Sequence, residues 1–397
     1  MRDEYAGTLI MFKIVGDTVK YGKAITIIIS SMLIVVSVSG CTKYPKDMMK
    51  CDPSYQLIPQ QTQLVQMDTA NMLLTELPDQ LQIDAGVVKI NADIVYPQQL
   101  TRPIASYKVE YGGSQYTISQ LQQNLMPTAI IQNMTMVADE QGGTELSVQI
   151  ATQRDSSGLV ITGEMFTYPG RFTYWEDLPD GIISETIDGD AGQIEENGTP
   201  MQCALPAVKA YEIASEFLAK GEVDLDLGEM RLYAISPTRE GRYVEGYYVI
   251  TAPQLIDGIP VALYHNCGMS SSMIQTGCGE SPTGFRFRVF DDAIENVTAF
   301  WLNENTMRTV EKYESLISFE SAISIVQEWA KENVRTKTLT IREIRFEYAL
   351  LDQNGEMMLV PSWSFDTLEG IADDSFYGVQ IDATNGTIIR AVEEFLL

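Results

Sequence analysis

Histidine is nearly missing: the 397 residues contain one, His265. A hydrolase built on a Ser-His or Cys-His pair would have to use that residue. The chain also lacks a G-x-S-x-G elbow, an H-E-x-x-H helix and a C-x-x-C pair, so the common nucleophile and zinc motifs are absent. Beyond residue 40 no stretch is apolar and long enough to span a bilayer, which takes about 20 residues. Basic residues are scarce beside acidic ones, 27 against 54, for a formal charge of −27. Such a surface repels nucleic acid and anionic lipid, so no nucleic-acid partner is expected. The hydrophobic content of 45% in turn excludes a disordered acidic tail.

The longest apolar run is AITIIISSMLIVVSV, residues 24–38, preceded by Lys13, Lys20 and Lys23. It is short for a transmembrane helix and has the charge order of a secretory leader. The run closes on Val38, Ser39, Gly40 and Cys41. That ending resembles the lipobox of bacterial lipoprotein signal peptides. The resemblance implies cleavage before Cys41, lipidation of its thiol, and a mature chain held by acyl groups on the outer face of the cytoplasmic membrane. Asp3 and Glu4 are unusual in a leader, which points to Met11 as the translation start. Each buried CH₂ of an anchor contributes about 0.8 kcal/mol, so several acyl chains hold without a spanning helix.

Four cysteines remain, Cys51, Cys203, Cys267 and Cys278. They allow three pairings. The short polar loop CGMSSSMIQTGC favours a disulfide between Cys267 and Cys278, while Cys51 falls in a spacer.

Composition divides the chain into a signal peptide (1–40), a proline- and glutamine-containing tether (41–66), a strand-rich α+β domain (67–180) and an acidic linker (181–203). VVKINADIVY, LSVQIATQ and LVITGEMFTY alternate as half-buried strands do, and TISQLQQNLM reads as a helix. The remainder carries a weak duplication, 204–302 and 303–397. AYEIASEFLAK places Ala210, Ile213, Ala214, Phe217 and Leu218 on one face. AISIVQEWAKE repeats the pattern 112 residues later with Ala322, Ile325, Val326, Trp329 and Ala330. MRLYAI then aligns with IRFEYA, and YYVITA with PSWSFD, both at 114. VFDDAIENV aligns with QIDATNGTI at 91, its Asn-Gly suited to a type I′ hairpin. The difference of 23 is an insert in the first unit that holds His265, Cys267 and Cys278. The expected fold class is α+β: tandem modules of one helix packed on a small antiparallel sheet, preceded by the strand-rich N-terminal domain.

The second unit resembles the PepSY and YycI-type modules of Gram-positive extracytoplasmic proteins. Ser318 and Phe319 open the helix, Pro361 and Trp363 mark a strand, and Ala383 and Gly386 the last hairpin. With the lipobox, the whole chain resembles the large lipoproteins of clostridia and their relatives. The resemblance implies non-enzymatic work: modulating a protease or a sensor kinase outside the membrane.

Each chemical reading has a simpler rival. His265, Met269, Met273 and cysteine sulfur could face a soft metal, yet a disulfide-closed surface loop explains HNCGMSSSMIQTGC as well. The acidic runs around Asp188–Glu195 and Asp224–Glu229 fail the EF-hand pattern. Trp329 and Trp363 read as core. Phe172, Tyr174 and Trp175 cluster at a boundary, where ligand contact competes with packing. No catalytic residue, metal or cofactor is assigned. The expected function is non-catalytic binding or regulation of an envelope protein or peptide. The alternatives are a cell-wall glycan hydrolase, or capture of a solute or cation.

Overall fold

Residues Val88–Val95 alternate buried and more exposed side chains along their length, the pattern of a strand with one face on a core. Other strands, such as Tyr247–Pro253 and Gly378–Asp382, are buried along their whole length, and strand is the dominant element of the structure. The computed structural model describes residues 67–69, 77–97, 100, 102–110, 112, 130–138, 144–153, 160–168, 171–177, 190–221, 225–239, 242–243, 245–262, 273–275, 283–290, 292–334, 338–353, 356–371 and 378–392. All belong to one unit, Tyr55–Leu397.

In chain order the strands begin with β1 (Met67–Thr69), β2 (Gln80–Asp84), β3 (Val88–Val95), β4 (Ala105–Val109), β5 (Ile130–Ala138), β6 (Thr144–Gln153), β7 (Val160–Tyr168), β8 (Arg171–Asp177) and β9 (Asp190–Glu196). Helix α1 (Ala207–Gly221) leads to β10 (Arg231–Arg239), β11 (Arg242–Tyr243), β12 (Tyr247–Pro253), β13 (Leu255–Ile256), β14 (Ile259–Pro260) and β15 (Met273–Gln275). After these come β16 (Gly284–Phe290), β17 (Ala293–Phe300), β18 (Arg308–Lys312) and β19 (Ser315–Ile317). Helix α2 (Phe319–Asn333) precedes β20 (Leu339–Gln353), β21 (Glu356–Asp366), β22 (Gly378–Asp382) and β23 (Ile388–Val392).

Two large sheets result. The first has ten strands in the order β11-β10-β12-β16-β17-β8-β7-β6-β5, with β9 also on β10. The second has nine, β15-β23-β22-β21-β20-β3-β2, with β4 on β21 and β18 on β4. The β3–β20 pairing is parallel and the rest are antiparallel. Helix α1 lies on one face of the first sheet, where Ala210, Ala214 and Phe217 meet Tyr248, Ile250, Phe285, Phe287 and Trp301. Helix α2 covers the second sheet, its Ala322, Val326 and Trp329 packing with Phe346, Trp363 and Ile381. Ser318 caps α2, its hydroxyl accepting from the Ser321 amide at 3.1 Å; this satisfies one orphan N–H of the first turn. The uncovered faces of the two sheets meet each other. Ile194, Tyr233, Ile235, Tyr247, Val249 and Phe290 of the first pack on Leu368 and Ile371, which follow β21. The Arg286 guanidinium donates to the Ile371 carbonyl at 2.8 Å across the same boundary.

The expected α+β arrangement, tandem modules of one helix on a small antiparallel sheet behind a strand-rich domain, is overturned. The described residues contain two helices, and strand dominates. The four main strands after each helix do not form a small sheet of their own. β8, β7, β6 and β5 continue the first sheet beyond β17, while β3, β2 and β4 join the second. The reason is that the outer strands of a four-stranded meander carry unpaired main-chain groups. Strands from elsewhere satisfy them: β9 on β10 and β8 on β17 in the first sheet, β3 on β20 and β15 on β23 in the second. Nothing in the hydrophobic alternation of a strand tells which neighbour it will take.

The internal alignment keeps its first strand in step, with Leu232 over Phe346 and Ala234 over Tyr348, but needs a shift at the next. Tyr248 and Ile250 face α1, whereas Ser362, aligned with Tyr248, points away from α2 and its neighbour Trp363 points toward it. An offset of 113 or 115 keeps the faces in step, because a one-residue slip inverts every side chain. Val289 over Gln380 fails for the same reason. The type I′ turn lies elsewhere as well. In Asp382–Thr387 only Gly386 is left-handed (φ 79°), and the Asp382 carboxylate accepts from the Thr384 amide at 2.8 Å. The loop is therefore a longer Asx-type turn. Asp257-Gly258, between β13 and β14, has φ of 54° and 86° and forms the two-residue hairpin.

Candidate functional site

The densest group of ionisable side chains sits between the two sheets. On β20 the sequence Glu343-Ile344-Arg345-Phe346-Glu347 alternates, so Ile344 and Phe346 join the core under α2 while the charged residues face the other sheet. Arg345 gathers three carboxylates. It pairs with Glu343, with Glu347 at 3.1 Å through Nε, and with Asp366 of β21 at 2.9 Å through Nη2. From β10, Arg231 reaches Glu343 and also holds Glu196 of β9 at 2.6 Å. The Tyr233 hydroxyl donates to Glu343 at 3.3 Å. Further along, the Gln380 amide donates to Ser364 at 2.9 Å and to Glu347 at 3.3 Å, and Ser364 also donates to Glu347.

Burial sets the electrostatics of this layer. The Glu343, Glu347 and Asp366 side chains are exposed by 1%, 4% and 1%. Burial alone would raise Glu343, but Arg231 and Arg345 outweigh it and hold the carboxyl below its ordinary range. Asp366 goes the other way: burial pushes it up to about 7, against hydrogen bonds from the Leu368 and Thr367 amides. Burial also raises Glu196, with Arg231 opposing. Arg231 and Arg345 are locked in the charged form by the acids around them, which outweigh the cost of burial. Two guanidiniums and four carboxylates thus join β9, β10, β20 and β21. Chemically the cluster can clamp two sheets and exchange a proton at Asp366. Its acids point at guanidiniums inside the protein.

No sequence signal selected these residues. IREIRFEYALL reads as a strand with one polar face, and a solvated face has the same alternation. Only the first sheet, whose Arg231 lies 112 residues upstream of Glu343, turns that face into an interior.

The sequence-derived sites are dispersed. Val38, Ser39, Gly40, Cys41, His265, Cys267 and Cys278 lie outside the described residues, as does the TISQLQQNLM segment. Tyr174 is fully buried in the core under α1. Phe172 and Trp175 occupy β8 at the positions opposite Ala299 and Asn296 of β17. Trp329 and Trp363 are core, with Trp363 at 5.1 Å from the Phe319 ring and 4.9 Å from that of Phe346. Asp190 and Glu195 belong to a strand instead of a calcium-type loop. Among the described residues no group of His, Cys, Asp and Glu is placed to hold a metal, and no helix is long and apolar enough to cross a membrane.

A second feature concerns sheet edges. The segment between β14 and β16, the insert of the first unit, sends β15 to the far sheet. There Met273, Ile274 and Gln275 pair antiparallel with Val392, Ala391 and Arg390 of β23. A strand from one part of the chain thus completes the edge of a sheet built from another.

Comparisons with known proteins add little to this geometry. No protein-family model matches the chain, and no curated protein matches it. Among solved structures, the chain is similar to the crystal structure of an uncharacterized protein from Eubacterium rectale ATCC 33656. The two share 12% identity at a TM-score of 0.48, over 79% of this chain and 93% of that one.

Proposed function

We propose that the chain is a membrane-anchored, extracytoplasmic lipoprotein that acts as a non-catalytic binding or regulatory module for an envelope protein or peptide. One observation carries the non-catalytic part: the concentrated acids and guanidiniums are turned inward and neutralise one another between the sheets. A hydrolase of glycans needs two carboxylates facing a substrate, about 5–10 Å apart. Here the clustered carboxylates face Arg231 and Arg345 instead. The anchor rests on the leader and on the small residues before Cys41.

Two measurements test the reading. Labelled palmitate should enter the wild-type chain and not the Cys41→Ala variant; equal labelling, or none, removes the anchor. Cross-linking on intact cells followed by capture of the chain should return the same envelope protein repeatedly. Release of fragments from purified cell wall by the purified chain would overturn the non-catalytic assignment.

A further inference from the structure

β17 and β23 hold the same place in their sheets. Each is the last of four main-path strands after a helix, β10-β12-β16-β17 after α1 and β20-β21-β22-β23 after α2. Each therefore presents an outer edge, and each edge takes an antiparallel strand. The two edges are filled unequally. On β17, five residues (Asn296–Phe300) pair with Trp175–Arg171 of β8, and β7, β6 and β5 build outward from there. On β23, three residues pair with β15, and β15 has no further strand beyond it among the described residues.

A three-residue strand is held by few main-chain hydrogen bonds, whereas a five-residue pairing backed by three more strands is held by many. We infer that the β23 edge is a recognition site for an extended peptide segment of a partner, and that β15 is a weak stand-in which such a segment displaces. This rests on the binding-module reading above and supplies its mode: addition of a strand to a sheet edge. Main-chain groups of Arg390–Val392 give affinity, and the alternating faces of the edge give selectivity. Ala391 is buried in the core beneath α2, so the residue opposite it should be apolar. Arg390 lies on the other face beside Gln380 and is almost fully buried with contacts of its own, so the residue opposite it should be neutral and polar, as Gln275 is. Ile274 and Gln275 occupy these two register positions in β15. With a formal charge of −27 on the chain, a strongly acidic segment would be repelled. The recognised segment is thus extended, uncharged, and of the form apolar residue followed by Gln, Asn, Ser or Thr.

The test uses the full chain and a fluorescein-labelled copy of residues 271–277 (SSMIQTG). Ile274→Pro removes an amide and disfavours the extended pairing of β15, which opens the edge. Fluorescence polarisation should show saturable binding to Ile274→Pro, at least about tenfold tighter than to wild type, because wild type must first release its own strand. A peptide carrying proline at the Ile274 position should not bind. A folded Ile274→Pro chain that binds neither peptide, or binds both alike, overturns the inference. Should that variant fail to fold, hydrogen exchange on wild type decides. The Arg390–Val392 amides facing β15 should exchange at least about tenfold faster than the Asn296–Phe300 amides facing β8. Equal protection overturns it. None of these outcomes depends on finding a cellular partner, so failure here leaves the cross-linking result to judge the broader function.

Discussion

Replacing Arg345 by leucine would take away the one guanidinium that touches Glu343, Glu347 and Asp366 together. All three side chains are nearly inaccessible to water, and Arg345 itself is exposed by 11%. Glu343 keeps Arg231 as a partner, while Glu347 and Asp366 lose their contact with Arg345. Breaking a buried pair from one side costs about 3–5 kcal/mol, because a charge is left without its counter-charge. Asp366 can escape that cost by taking up a proton. Asp366, already raised to about 7 with Arg345 present, would be neutral at pH 5 in the variant. The loss at pH 5 should then fall to about 1–2 kcal/mol, the cost of imperfectly satisfied polar groups. At pH 8 it should be about 4 kcal/mol. Urea unfolding followed by the fluorescence of the buried Trp301, Trp329 and Trp363 gives both values. Equal destabilisation at the two pH values, or less than about 1 kcal/mol at pH 8, would refute the idea that this layer is charged and sealed.

Further predictions concern the pH dependence and the core. The folded-state pKa of Asp366 is above its unfolded value, so its contribution is fully present below about pH 4 and is lost as the pH rises through about 7. Asp366→Asn should flatten that decline, by at most about 4 kcal/mol for three units of difference; an unchanged slope counts against the raised pKa. Trp363→Ala should cost about 3–5 kcal/mol, since the ring is fully buried between Phe319 and Phe346; a midpoint within error of wild type would place the ring at the surface. Ser318→Ala should cost about 1 kcal/mol through loss of the α2 cap, and a Ser318→Asn variant should recover most of it. Gly378→Ala should fail to accumulate as folded protein, because an added Cβ would lie 1.9 Å from the Phe365 carbonyl oxygen in the β21–β22 ladder.

The edge proposal and the buried cluster meet in one respect. Both depend on strands that find partners far away in sequence, β15 on β23 and β10 against β20. Such pairings cost loop-closure entropy that local contacts avoid. The pairing of β8 with β17 bears a similar cost, but it sets five paired residues backed by β7, β6 and β5 against it, whereas β15 sets three.

By itself the sequence determined what depends on neighbours along the chain. The stripe Ala210, Ile213, Ala214, Phe217 and Leu218, and its counterpart ending in Trp329 and Ala330, specify two helices with one apolar face each. Ser318 specifies where the second begins, and alternation specifies VVKINADIVY as a strand. Tertiary structure alone decided which strands lie side by side, and so that the sheets grow to ten and nine strands instead of closing as small modules. It alone made the polar face of Glu343, Arg345 and Glu347 an interior, by laying Arg231 and Tyr233 over it. The physical reason is that a strand's alternation records only that its two faces differ. It does not record which faces water, nor which edge will be met by another strand.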